Sequence, residues 1–450
     1  MKIADLQKLM RGGLCDTVLT VFPDMQGRWM GKRVTGKYFL DHVLEHGVEA
    51  CNYLLTVDVE MEPVQGYAFA SWEKGYGDLH LVPDMKTLRI IPWLEKTALV
   101  ICDVFDEEGK IISISPRAIL KTQVEKAKKL GFSVMMGSEL EFYLFKETFE
   151  SAQQKRYQNL QTSGHYIEDY HILQTSKDEP FIREIRNGMN GAEVPVEFSK
   201  GEWGAGQHEI NLRYTDALEM ADRHTVYKNG VKEIAHLKGM AVTFMAKYST
   251  RGAGSSCHIH TSLWDATAKK CRFWDEKKRE SSETFMHFLA GQMALAPDLS
   301  VFFAPFVNSY KRYQAGSFAP TRIAWGHDNR TCGFRIVGRG NSHRIENRIP
   351  GADANPYLAF AATIASGLHG IERKLKVSEI YKGNAYLDDS LPQVPLTLYQ
   401  AIGKLDESPT AKKLLGAEVV EHYLHAARVE QVFSDRNVSD LESTRGFERL

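Results

Sequence analysis

The chain has almost no net charge: 56 lysines and arginines stand against 57 aspartates and glutamates, a formal −1. Such balance excludes a nucleic-acid partner or an anionic membrane surface held by bulk charge, since both need a field of one sign. Lysine and arginine must therefore act locally. No stretch reaches the roughly 18 apolar residues that a membrane span requires. Met1 to Met10 reads as a short amphipathic helix stopped by Gly12-Gly13, with no apolar run of signal-peptide length, so a cytoplasmic location is expected. The six cysteines, Cys15, Cys51, Cys102, Cys257, Cys271 and Cys332, lie far apart and form no CxxC pair. Neither a disulfide framework nor a zinc knuckle is signalled, and the thiols read as reduced and mostly buried. Internal repeats and low-complexity segments are absent too.

With 450 residues, 43% of them apolar and 25% charged, the chain can bury a large core and should divide into at least two domains. Residues 1 to 108 alternate short strands with turns. Thr17 to Phe22, the turn Pro23 to Gly27, and Trp29 to Val34 read as a hairpin. A helix from Tyr38 to Glu45 ends at Gly47, and strands follow near Leu88 to Ile91 and Ala98 to Phe105. Gly31-Lys-Arg-Val-Thr-Gly36-Lys37 imitates a phosphate-binding GxxxxGK loop, but Tyr38 replaces the hydroxyl residue that would hold Mg²⁺, and a basic hairpin tail is the better description. From 109 to 450 helices alternate with strands. Ser115-Pro116 caps a helix running to Gly131, and Thr215 caps a long one from Asp216 to Leu237. Met240 to Met245 reads as a buried strand, and core helices cover Ser281 to Ala296 and Asn355 to Leu375. The fold class expected is α+β.

One pattern recurs in the second unit. Glu202 and Glu209 flank a turn of small residues, and an amphipathic strand follows in which Glu209, Asn211 and Arg213 point one way and Ile210 and Leu212 the other. Ser138-Glu139-Leu140-Glu141-Phe142, Cys257-His258-Ile259-His260 and Arg344-Ile345-Glu346-Asn347-Arg348 repeat the design. Any one of these is compatible with a solvated strand face. Sharing one sheet, the four would bring Glu139, Glu141, Glu209, Glu346, His258 and several arginines to a common concave face. Carboxylates so crowded repel and take up protons unless a cation intervenes. Oxygen-rich ligands with one imidazole suit Mg²⁺ or Mn²⁺ better than zinc. Carboxylates, a divalent metal and arginine beside glycine-containing loops are the equipment of phosphoryl transfer.

These residues carry a resemblance. Glu139-Leu-Glu141-Phe, Gly206-Gln207-His208-Glu209-Ile210, Cys257-His258-Ile-His260-Thr-Ser262-Leu-Trp264, Asn308-Ser-Tyr-Lys-Arg312, Asn329-Arg330, and Arg344-Ile-Glu346-Asn-Arg348 followed by Asn355-Pro-Tyr-Leu are, in this order and spacing, similar to the glutamine synthetase family, specifically its amine-ligating branch. The resemblance spans nearly the whole chain. It implies a β-grasp-like N-terminal domain over 1–108 and a catalytic ATP- and metal-binding domain over 109–450, built on a curved antiparallel sheet that forms a half-barrel. It implies two or more Mg²⁺ or Mn²⁺ ions per site, with Glu141, Glu202 and Glu209 as ligands on the substrate side and Glu139, His258 and Glu346 on the nucleotide side. ATP is then a co-substrate: Arg330, Arg335 and His260 approach its phosphates, and Ser262 and Arg344 flank its adenine. Arg312 and Gly254 meet the first substrate, L-glutamate, and Arg348 meets its γ-carboxylate and the transferred phosphoryl, which makes Arg312, Arg330 and Arg348 the catalytic arginines. Planar guanidinium forks suit carboxylate and phosphate better than lysine would. The chemistry implied has two steps, phosphorylation of the γ-carboxylate and attack of an amine on the acyl phosphate. The family forms homo-oligomers of six-membered rings, usually two stacked, and each site is shared between the first domain of one chain and the second domain of its neighbour.

Three departures bear on the substrates. Where ammonia-using members carry a flap glutamate in Gly-Tyr-Glu-Ala-Pro, this chain reads Gly316-Ser317-Phe318-Ala319-Pro320. Where they carry an ammonium-binding aspartate in Phe-Asp-Gly-Ser-Ser, it reads Ala68-Phe69-Ala70-Ser71-Trp72. Where Asn-Gly meets glutamate, it has Ala253-Gly254. An ammonium ion would lose two carboxylates here, whereas an alkyl group beside Phe318 and Trp72 gains roughly 0.8 kcal/mol per buried methylene. The acceptor expected is a small monoamine, an alkylamine or ethanolamine. Alternatives are an ammonia-using glutamine synthetase, a non-catalytic structural or sensing relative, and a phosphotransferase acting on another carboxylate. Tyr386 falls near a position adenylylated in some members; a tyrosine in a polar loop reads as exposed, and no role is assigned to it.

Overall fold

A computed structural model describes residues 1–450. The expected hairpin forms: β1 (Thr17–Pro23) and β2 (Trp29–Thr35) pair antiparallel, with Thr17 opposite Thr35 and Pro23 opposite Trp29. Gly31 lies inside β2, where a Cβ would stand 2.0 Å from the Thr20 carbonyl oxygen, and Lys37 ion-pairs with Asp41. The glycine–lysine run is thus a strand and the start of a helical segment, not a phosphate cradle. That segment, Gly36 to His46, contains a π-helical turn over Phe39–Val43 and stops at Gly47, whose φ of 69° is a glycine conformation.

Strands β3 (Val48–Cys51), β4 (Asp78–Pro83), β5 (Arg89–Ile90) and β6 (Thr97–Phe105) complete a six-stranded sheet in the order β2-β1-β6-β4-β3, with β5 on β6. Only β1 and β6 run parallel. β3 and β4 are short and carry polar residues between apolar ones, which is why the glycines and proline around them read as punctuation alone.

The second sheet positions the site. Its strands are β7 (Phe132–Phe145), β8 (Val196–Gly201), β9 (Gln207–Leu212), β10 (Thr215–Asp216), β11 (Ala241–Thr243) and β12 (Cys257–Asp265). After a small hairpin of β13 (Trp274–Asp275) and β14 (Glu280–Ser281) come β15 (Trp325–His327), β16 (Phe334–Val337) and β17 (Arg344–Asn347). The nine strands of this sheet run β15-β16-β17-β12-β7-β9-β8, with β10 and β11 also on β7, and every pair except β15–β16 is antiparallel. The four ionic segments therefore do share one sheet. β11 is shorter than the Met240–Met245 run suggested, because the chain turns where the Thr243 hydroxyl accepts from the Met245 N–H at 3.2 Å.

Helices back the sheet. Pro116–Lys129 begins after Ser115 as expected, but the Ser115 side chain makes no capping hydrogen bond and the helix stops two residues before Gly131. The long helix is Ala217–Leu237, and its cap is Asp216, which accepts from the Glu219 N–H, rather than Thr215, which is drawn into β10 opposite Met136. Glu283–Leu295 and Pro356–Arg373 are apolar core helices, capped by Ser282 and Asn355. A continuous apolar core joins both sheets, from Val18 and Leu99 to Leu140 and Ile259. Polar ties also cross between the two parts of the chain. The Asn355 amide donates to the Asp24 and Met25 carbonyls at 3.1 and 3.0 Å, and Arg117 bonds Asp84 and Asp103 near the first sheet and Asp222 on the long helix. All six cysteines are free thiols, five of them buried. No helix is long and apolar enough to cross a membrane.

Candidate active site

Register builds the site. β7 lies between β12 and β9, with His258 opposite Glu139 and Glu209 opposite Glu141; on the next strand out, Glu346 is opposite His260 and Arg335 opposite Glu346. Alternation along β7 sends Glu139 and Glu141 to one face. Glu202 joins them from the turn between β8 and β9. The result is two trios, Glu139–His258–Glu346 and Glu141–Glu202–Glu209, whose ligand atoms each lie within 4.8 Å of one another. His258 Nδ1 stands 2.7 Å from Glu139 and 3.6 Å from Glu346. All six residues assigned from the sequence to metal binding are thus brought together, divided as the resemblance divided them.

The two trios differ electrostatically. Burial alone would raise Glu139 and Glu346, but His258 and His260 hold Glu139 well below the usual carboxylate range, and Arg348 with both histidines brings Glu346 down to about 2. In the other trio burial and like charge act together. Burial and the neighbouring Glu202 push Glu141 up to about 8, although the Ser256 N–H and hydroxyl both donate to it. Burial, then Glu139 and Glu202, push Glu209 well above its ordinary value. Carboxylates that resist ionisation in this way form a site that takes up cations or protons. The donors are hard oxygens plus one imidazole, a set that fits two divalent ions of the Mg²⁺ or Mn²⁺ kind.

A cavity of about 890 Å³ is lined by Glu139, Glu141, Glu202, Glu209 and His258, and also by Arg312, Arg330, Arg335 and Arg348. A second, of about 430 Å³, is lined by His260, Ser262 and Arg344, and both cavities touch Glu139 and Phe198. Of the residues expected around the nucleotide, His260, Ser262 and Arg344 therefore line the second cavity, while Arg330 and Arg335 line the first with the trios. His260 Nε2 is 3.2 Å from Glu139, Arg344 donates to His260 Nδ1 at 3.2 Å, and the Ser262 hydroxyl accepts from the Trp264 indole at 2.9 Å. Arg335 bonds Glu346 at 2.8 Å and also Asp328; Arg330 is exposed at the rim. Arg348 pairs with Glu346 and donates to the Phe318 carbonyl at 3.3 Å, while its Nε has no partner.

Arg312 is only 3% exposed, and its two terminal nitrogens donate to the carbonyls of Ile349 and Arg348 at 2.8 and 2.7 Å. Its stem packs on Gly254, where a Cβ would stand 2.6 Å from Arg312 Cγ. Phe318 lines the cavity in a left-handed conformation, φ 60°, which a residue with a β-carbon holds only where its surroundings impose it. Trp72 does not line this chain's cavity: it is 68% exposed and stacks edge-on against Tyr76 at 5.0 Å. Tyr386 is half-buried rather than exposed, because its hydroxyl donates to the Ala319 carbonyl at 3.0 Å and ties down the segment that carries Phe318.

Several residues of the site escaped the sequence reading. The Gln207 amide donates to Glu141, to the Gly254 carbonyl and to Ser255, linking the turn after Glu202 to β7. Lys200 pairs with Glu202 and Asp169 and lies 4.5 Å from the centre of the Tyr170 ring. Trp203, next to Glu202, faces Phe318. Its position beside a carboxylate in a small-residue turn was the signal available.

Comparison with known proteins agrees with this architecture. Residues 113–445 match the model of the glutamine synthetase catalytic domain. The chain is 49% identical to the gamma-glutamylethanolamide synthetase GlnA4 of Streptomyces coelicolor over 448 residues, covering 100% of this chain and 96% of the relative. It is 40% identical to the glutamate–isopropylamine ligase of a Pseudomonas species over 436 residues, 96% of this chain and 94% of that one. Among solved structures, a GmaS/ADP complex superposes with a TM-score of 0.86 at 26% identity, covering 99% of this chain and 100% of the other. On its ordered motifs, its curved sheet and these matches, the chain belongs to the glutamine synthetase family, within the branch of these amine ligases.

Proposed function

We propose that the protein is an ATP-dependent ligase that joins the γ-carboxylate of L-glutamate to a small substituted monoamine, an alkylamine or ethanolamine, and releases ADP and phosphate. The observation that carries this reading is the conjunction at one cavity of five of the six trio residues, with Glu346 buried behind them, and an aromatic pair, Trp203 and Phe318, where an acid would be needed to hold ammonium. The relatives named for ethanolamine and isopropylamine support it.

In this reading Glu139, His258 and Glu346 would hold one divalent ion, and Glu141, Glu202 and Glu209 another. When bound, those ions neutralise phosphate charge and polarise the transferring phosphoryl group. His260, Ser262 and Arg344 bind the nucleotide, with Arg330 and Arg335 facing its phosphates. Arg312 and Gly254 shape the seat of glutamate, and Arg348, braced by Glu346, steadies the γ-carboxylate as it attacks the terminal phosphorus and ADP leaves. The amine nitrogen then attacks the acyl carbon, the C–O bond to phosphate breaks, and the amine gives up a proton. Phe318 and Trp203 cover the acyl phosphate against water and pack on the acceptor's alkyl part. We further propose the division into a domain over 1–108 and a catalytic domain over 109–450. A ring assembly follows in which Trp72 reaches a neighbour's cavity, consistent with its exposure here.

The test is to supply ATP, Mg²⁺ and glutamate labelled with ¹⁸O in the γ-carboxylate, together with a panel of amines. The reading requires γ-glutamylamide masses and one ¹⁸O in the released phosphate. Label-free phosphate, or another carboxylate preferred to glutamate, would refute it.

A further inference from the structure

Behind the sheet, on the face opposite Glu209, three more ligand-type side chains meet. His208 precedes Glu209 on β9, and strand alternation sends it to the other side. It is 1% exposed there, and its Nε2 lies 3.0 Å from Asp178 Oδ2. Asp178 belongs to the helix Ile172–Gly191, and the same oxygen accepts from the Ser163 hydroxyl at 2.7 Å. Glu168 arrives from the loop that precedes this helix. One ligand atom from each of Glu168, Asp178 and His208 lies within 4.8 Å of the others.

The unexplained group is Glu168. It is 1% exposed; one oxygen accepts from the Gly206 N–H at 3.2 Å, and the other, Oε2, has no partner. No lysine or arginine pairs with Glu168 or Asp178; the one ion-pair partner of either is His208, on Asp178. Nevertheless the backbone is shaped to admit this carboxylate. A Cβ at Gly164 would stand 1.4 Å from Glu168 Oε1, and one at Gly201 would stand 2.9 Å from the Glu168 carbonyl oxygen. Two buried carboxylates and an imidazole, with no lysine or arginine in an ion pair to them, make a donor set that one divalent ion would neutralise. These are the donor kinds of the Glu139–His258–Glu346 trio, so the site takes a divalent ion of the same class, with the Ser163 hydroxyl or a water as the fourth ligand; Zn²⁺ and Co²⁺, which bind the same oxygen and nitrogen donors, serve as its probes.

We propose that Glu168, Asp178 and His208 form a third divalent-cation site, structural and separate from the two trios in the cavity. An ion there ties the 163–178 segment to the back of β9 and to the turn that presents Glu202 and Glu209. The site does not depend on which amine the enzyme accepts, nor on its being a ligase.

The test uses the full-length protein stripped of metal, then titrated with Zn²⁺ and separately with Co²⁺. A tightly held Zn²⁺ is expected in wild type and in a Glu139→Gln/Glu209→Gln variant with the cavity trios impaired, and should be lost from that variant when Glu168→Gln or Asp178→Asn is added to it. Co²⁺ should give the intense visible absorption of four-coordinate cobalt in the first two proteins and not in the others. If either outer variant fails to fold, the wild-type and cavity-variant spectra decide. Equal Zn²⁺ binding by the cavity variant with and without the outer substitutions, or no four-coordinate cobalt signal from the cavity variant, would overturn the site.

Discussion

The rings of Trp203 and Phe318 stand 5.7 Å apart, tilted by 58°, in the lining of the cavity. One comes from the turn that carries Glu202, the other from the flap tied down by Arg348 and Tyr386. An aromatic contact made between these two particular segments puts an apolar wall on the cavity, where the proposed amine acceptor would enter. Trp203→Ala should raise KM for an alkylamine about tenfold, roughly 1.4 kcal/mol of lost apolar contact, with little change in KM for ATP. Phe318→Glu should move the ratio of kcat/KM for ammonia to that for an alkylamine upward by about 10–100-fold. Steady-state kinetics on the two variants check both.

Removing a donor from the nucleotide-side trio should stop chemistry without unfolding the protein. His258→Asn is expected to lower kcat by at least about 10²-fold and to weaken Mn²⁺ binding, read by phosphate release and by paramagnetic resonance of the free ion. A kcat within twofold of wild type would remove His258 from the machinery.

Arg117 bonds Asp222, Asp103 and Asp84 at 2.6 to 3.0 Å and is almost wholly buried. Deleting it leaves carboxylates uncompensated, so Arg117→Ala should cost about 3–5 kcal/mol in chemical denaturation. Arg428→Ala, which breaks an exposed pair with Asp406, should cost under about 1 kcal/mol. Equal effects would mean that Arg117 is not the tie between the sheets that its bonds describe.

Stability should depend on pH through His422. Burial pushes its imidazole down to about 3, where it contacts the Leu55 carbonyl at 2.9 Å. The unfolded chain takes up that proton below about 6.5 and the folded chain does not. The stabilisation is therefore complete above that value and falls as pH drops toward 3, by up to about 1.4 kcal/mol per pH unit. His422→Gln should flatten the acid limb of an unfolding-versus-pH curve, and an unchanged slope would assign the acid limb to other groups.

Much of the site was readable because strand alternation is local. Glu139 and Glu141 had to share a face, and so did His258 and His260, whatever the rest of the chain did. Register is not local: that His258 stands opposite Glu139, and Glu209 opposite Glu141, depends on turn lengths and bulges that no side-chain pattern records. The same limit hid the His208 cluster, whose members come from a loop, a helix and a strand, and the Lys200 pairing with Asp169. Tyr386 was misjudged because a polar loop hid a single carbonyl partner. β3 and β4 escaped notice because four or six residues with polar insertions give too short a period to register.

The most direct test of the central claim is competition. Wild-type protein, Mg²⁺-ATP and L-glutamate are given equal concentrations of ammonium, ethanolamine and isopropylamine, and products are counted by mass. γ-Glutamylamides of the substituted amines should exceed glutamine by more than about tenfold. Glutamine as the main product would contradict it.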